Sequence, residues 1–92
     1  MTDTVPEPDG APSSLATALA RLRAGDWTGA HALVQEDESR AGCWAHGIVH
    51  LQEGDLANAR YWYRRAARDW PEHADVETEL AALMQHLEGT GT

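Results

Sequence analysis

Four residues with metal-ligating or nucleophilic side chains, Cys43, His46, His50 and Glu53, follow one another at steps of three, four and three. On a helix those steps keep the side chains on one face, and thiolate, imidazole and carboxylate are groups that Zn²⁺ and Ni²⁺ accept as ligands. His31, a little upstream, is the natural further ligand if another helix carries it across. Four ligands from one helix cannot surround an ion tetrahedrally, and the chain lacks the Cys-x2-Cys step of structural zinc sites. Packing is therefore the favoured reading: His46 and His50 half-buried, hydrogen-bonded to carboxylates or carbonyls of neighbouring helices, with no metal or other cofactor. A Cys43–His46 nucleophile pair fares worse, because one helical turn offers neither an oxyanion hole nor an enclosing cleft. The chain reads as non-enzymatic, with a metal-binding protein or metal-dependent enzyme on the Cys43/His46/His50 face, helped by His31 and Glu53, as the alternative.

A second set of residues points to recognition. Arg60, Arg64, Arg65 and Arg68 are four of only seven basic residues in a chain with fifteen acids and a net charge of −8, and Tyr61 and Trp62 lie among them. Arg and aromatic side chains are favoured at interface hot spots. With Tyr63 facing inward, Tyr61, Trp62, Arg65 and Arg68 are expected to present a protein-binding surface to a carboxylate-rich partner, with Trp44 and Ile48 as a further candidate surface. The competing outcome is internal pairing of the arginines with Glu72, Asp75 and Glu79.

The acidic balance repels phosphate backbones and anionic lipid, which argues against nucleic acid or membrane as partner. Cys43 is the sole cysteine, so no intramolecular disulfide is available and a reducing compartment is expected. No run of eighteen apolar residues occurs, and the start MTDTVPEPDG lacks the basic-then-apolar layout of a secretory signal. The expectation is a soluble cytoplasmic protein.

The elements that must position these residues are all helical. Residues 1–12 hold three Pro, three acids and a Gly, with too little apolar content to offset the entropy of ordering, and are expected as a disordered acidic tail. A domain over 13–89 follows, with 90–92 as a flexible end. Ser13 or Ser14 caps a first helix carrying Leu15, Leu19 and Leu22, which Gly25 ends; Asp26 caps a second from Trp27 to about Asp37. Ser39 opens a third over Arg40 to Glu53, stopped by Gly54. Asp55 caps a fourth with Leu56, Ala59, Tyr63, Ala66 and Trp70 on one side, running to Pro71. A fifth spans about Glu72 to Glu88, with Val76, Leu80, Leu83 and Leu87 inward and Gly89 and Gly91 closing it.

Gly25-Asp26 and Gly54-Asp55 lie 29 residues apart, and at that offset Leu22 matches Leu51 and Ala30 matches Ala59. Two helix-turn-helix units are the simplest account. Gly47, Gly54-Asp55, Ala59, Tyr63, Ala66 and Pro71 resemble the tetratricopeptide repeat, in which a small residue sits where paired helices touch and an A-x3-F/Y step packs the second helix on the first. Cys43, His46 and His50 stand where that pattern has Trp, Leu and Tyr. The segments Gly25-Asp26-Trp27, Ala30-His31, Trp44, His46, His50 and Glu53 to Leu56 with Asn58 to Ala67 also resemble a group of short bacterial proteins of uncharacterised function, which implies no activity. The tetratricopeptide resemblance implies an all-α fold of two right-handed hairpins plus a C-terminal capping helix, and a small interaction module that binds a peptide or helix or pairs with itself as a homo-oligomer.

Overall fold

In the computed structural model the described residues, 10–72 and 74–90, form five helices and no strand. The first nine residues of the expected tail, and positions 91 and 92, lie outside the described residues. Helix α1 covers Gly10–Arg23. It starts ahead of Ser13 and Ser14, so both lie inside the helix and not at its N-cap position. Pro12 does not prevent this, because a proline in the first turn gives up an N–H that has no intrahelical acceptor. Leu15, Leu19 and Leu22 are buried as their spacing requires.

Two near-identical joints follow. At the first, Gly25 adopts a left-handed φ of +82°, its N–H donates to Leu22 O, and the Asp26 N–H donates to Arg21 O. This pair of bonds satisfies the last carbonyls of α1. Asp26 then turns round to accept from Gly29 N at 3.0 Å and caps α2, Trp27–Val34. At the second joint Gly54, φ +94°, and Asp55 repeat the arrangement between α3 (Arg40–Glu53) and α4 (Leu56–Arg65). Helix α2 stops at Val34, before the acidic run, since acids at a C-terminus oppose the helix dipole.

Helix α3 is the axis of the domain and packs against each of the other four helices. Every residue from Gly42 to Val49 is buried. Helices α3 and α4 approach closely where a Cβ on Gly47 would fall on the Tyr63 ring, beside the carbonyl of the fully buried Ala59. Helix α5, Val76–Thr90, lies on α3 and α1 and inserts Leu80 and Leu83 into the core. No described helix is long and apolar enough to cross a membrane.

Helices α4 and α5 are both shorter than expected at their junction. α4 ends at Arg65, well before Pro71, because Ala67 takes a left-handed φ of 57° and the chain closes the same pair of capping bonds that the glycines make elsewhere: Ala67 N to Arg64 O and Arg68 N to Tyr63 O. Arg40 reinforces the end by donating to Ala66 O at 2.7 Å and Ala67 O at 3.1 Å, a favourable place for a cation. Trp70 still reaches the core, edge-on to Tyr63. Helix α5 begins at Val76 and not near Glu72, with Asp75 as its cap, accepting from the Thr78 N–H and hydroxyl.

Candidate functional site

The histidine steps on α3 and the turn that launches α2 converge on one cluster. One nitrogen from each of His31, His46 and His50 lies within 4.8 Å of the others. His46 and His50 stand one turn apart on α3 with ring centroids 5.1 Å apart, and His31 arrives from α2, edge-on to both at 4.7 and 5.5 Å. Trp62 of α4 lies flat on His46, with centroids at 3.8 Å and ring planes 9° apart. His46 is only 4% exposed, yet its Nδ1 has no hydrogen-bond partner among the described residues. Burial, and then the charge of its neighbours His31, His50 and Arg65, pull its pKa down to about 4, so the ring is neutral at physiological pH. His50 differs: its Nδ1 meets the Glu53 carboxylate at 2.8 Å, which orients the ring and leaves Nε2 for another contact.

Cys43, grouped with these residues by spacing, takes no part in the cluster. It is buried, its Sγ faces the Glu38 carbonyl at 3.9 Å, and burial raises its pKa, which keeps the thiol protonated and poorly nucleophilic. Glu53 contributes through His50.

The expected recognition surface divides. Tyr61 is exposed, and Arg65 donates to its hydroxyl at 3.1 Å while lying over the Trp62 ring at 5.0 Å. Arg60 lies over Trp70 at 4.5 Å. None of Arg60, Arg64 and Arg65 pairs with a carboxylate among the described residues. Arg68, Trp44 and Ile48 belong elsewhere. Ile48 is fully buried and Trp44 is 6% exposed, because α3 is covered on all sides. Arg68 falls beyond the end of α4, where helical projection no longer applies, and turns into the protein.

What Arg68 meets there is Glu79, one of the three acids named from the sequence as internal partners for the arginines. Glu79 is 2% exposed and collects four bonds: Oε1 accepts from Tyr63 OH at 2.7 Å, Arg68 Nε at 2.9 Å and Trp44 Nε1 at 3.2 Å, and Oε2 accepts from Arg68 Nη2 at 3.1 Å. The Arg68 guanidinium also covers the Trp44 ring at 3.9 Å. Burial alone would raise the Glu79 pKa, but the bonds from Arg68, Tyr63 and Trp44 outweigh it and hold the carboxyl below its ordinary value. An acid in the first turn of a helix is an ordinary dipole-compensating residue. The signal for its burial is its spacing, three residues after Val76 and four before Leu83 on the inward stripe.

A broad open groove of about 960 Å³ lies apart from both clusters, lined in part by Leu22, Gln52, Val76, Leu80 and Met84. It brings together no histidine or cysteine. Comparisons of the chain with protein-family models, with curated proteins and with solved structures give no match.

Proposed function

We propose that this chain is a small, non-enzymatic interaction module of tetratricopeptide-like hairpins that holds a carboxylate-rich segment of a partner protein along the outer face of α4, in the cytoplasm. The observation that carries the reading is the charge state of that face. Arg60, Tyr61, Arg64 and Arg65 fall within about 140° of the helix circumference at 100° per residue, and the three guanidinium groups have no carboxylate partner among the described residues, in a chain with a net charge of −8. A protein with surplus acids has ample means to neutralise three arginines internally. Arg68 is neutralised in that way by Glu79; the other three are left for an external anion. Tyr61 supplies a rigid aromatic surface beside them, the pairing of side chains that interface anchors use. The protonated, enclosed Cys43 thiol weighs against nucleophilic chemistry.

The test uses a fluorescein-labelled helical peptide of alternating Glu and Leu turns, and a Lys-for-Glu version as control, followed by anisotropy at low and physiological salt. Saturable binding of the acidic peptide is expected, weakening as salt screens the contacts and lost in Arg60→Glu/Arg64→Glu/Arg65→Glu, whose helical circular dichroism should stay unchanged. Binding unaffected by that charge reversal overturns the reading. So does salt-sensitive self-association abolished by the same reversal, which would make a second copy of the chain the occupant.

A further inference from the structure

The geometry points to a three-histidine site for a late first-row divalent transition-metal ion, with Zn²⁺ the ion it suits, formed by His31 of α2 together with His46 and His50 of α3. The objection that one helix cannot surround an ion applies to α3 alone. Helix α2 removes it by bringing His31 over the α3 pair, so three nitrogens approach from two elements and a fourth position stays open to water or a partner's side chain. Three imidazoles with one open position is a donor set that Zn²⁺ accepts.

Two independent observations support a ligand at this place. The His46 side chain is more than nine-tenths buried with an unpartnered Nδ1. Whichever tautomer the ring adopts, that nitrogen is a donor or an acceptor with nothing to meet among the described residues, and burying such a group unpaired is costly. The environment also prepares the other ligands. Glu53 engages Nδ1 of His50, the carboxylate–histidine arrangement that fixes a ligand's tautomer and orientation. Trp62 closes one face of His46, so the ring is held while the half-buried His31 and His50 can adjust.

The distances are within reach of coordination. Zn–N bonds of about 2.0–2.1 Å place tetrahedral ligand nitrogens about 3.3 Å apart; the present upper separation of 4.8 Å therefore requires a convergence of at most about 1.5 Å, achievable by side-chain rotation. Locally, Arg65 opposes a cation, while Glu53 and Asp55, both close to His50, favour one. His50, Glu53 and Asp55 are themselves a candidate trio, but Glu53 is committed to His50 and Asp55 to capping Asn58 at the start of α4.

The experiment titrates Co²⁺ and then Zn²⁺ into the full chain, purified without a histidine tag and stripped with chelator. One Co²⁺ per chain with the intense visible bands of four-coordinate cobalt, displaced by Zn²⁺, is expected, along with a rise in melting temperature that grows with free Zn²⁺. His31→Gln and His50→Gln should each weaken binding at least tenfold, Glu53→Gln by ten- to a hundredfold, and the exposed His86→Gln not at all. His31→Cys, which restores a ligand, should recover binding that His31→Gln loses, separating coordination from any damage to the fold. Absence of a saturable one-to-one signal overturns the site. Equal affinity in wild type and His31→Gln does so as well, because the second helix would then contribute nothing. The Arg60→Glu/Arg64→Glu/Arg65→Glu variant should still bind metal, so failure of the docking surface and failure of this site are distinguishable.

Discussion

Two polar clusters sit against α3, two residues apart in sequence and so on opposite faces of the helix, and they are finished differently. On the Trp44 side Glu79 is buried with four donors aimed at it. On the His46 side an equally enclosed imidazole keeps a nitrogen with no partner among the described residues. The same protein can evidently satisfy a buried carboxylate completely using Arg, Tyr and Trp from three segments. A cluster left incomplete beside it is therefore informative: the first has the chemistry of a structural joint, the second that of a place prepared for something the chain does not itself supply.

The largest effect should come from breaking the complete cluster. Glu79→Gln keeps the volume but removes the charge, leaving Arg68 beside Trp44 without its carboxylate and Tyr63 without its strongest acceptor. Removing one member of a buried ion pair costs about 3 to 5 kcal/mol. Arg68 retains 30% exposure and can recruit water, so the loss should lie near 3 kcal/mol in urea denaturation. A loss under about 1 kcal/mol would erase the contrast between the clusters. The same residue predicts acid behaviour. Since its folded pKa lies below its ordinary value of 4.5, its contribution is fully present above that value and drains as pH falls through the folded pKa. Wild type should lose stability in that window, and Glu79→Gln should show a flatter acid limb.

Gly47→Ala is next, at about 1 to 3 kcal/mol. The added methyl meets the Tyr63 ring, which cannot retreat because Glu79 holds its hydroxyl. The penalty should shrink in a Glu79→Ala background, where the ring is released. Additive behaviour of the two changes would show that Tyr63 is immobilised by packing alone.

Much of this architecture was legible because it is written locally. Gly-Asp joints, Ser39 and Asp55 caps and leucine spacing each depend on residues within one or two turns, and the Gly47–Ala59–Tyr63 contact between two helices was legible from its resemblance to a repeat spacing. What was hidden depends on distant partners. Ala67 in a left-handed conformation carries no glycine to announce it, so the apolar spacing alone extends α4 to Pro71 and turns Arg68 outward. Trp44 and Ile48 looked like half of an amphipathic stripe, whereas the uncharged stretch from Ala41 to Val49 is the signature of a helix covered on all sides. The histidine steps on α3 were readable as a face; that His31 joins them depends on how α2 packs, which no periodicity within either helix encodes.

The smallest expected effect is the one that separates the clusters most sharply. His46→Leu replaces the ring by an apolar side chain that needs no partner. The lost stacking on Trp62, about 0.5 to 1.5 kcal/mol for an aromatic pair, is set against relief of an unsatisfied buried nitrogen, about 1 to 3 kcal/mol. In chelator-stripped protein the variant should thus equal the wild type or exceed it by about 1 kcal/mol, whereas substitution of the equally buried Glu79 is ruinous. Adding Zn²⁺ should reverse the order, since the ion stabilises only the chain that binds it. If His46→Leu instead destabilises the metal-free protein by more than about 2 kcal/mol, the histidine is a packing element as firmly integrated as Glu79, and the orphaned nitrogen has no ligand to explain it.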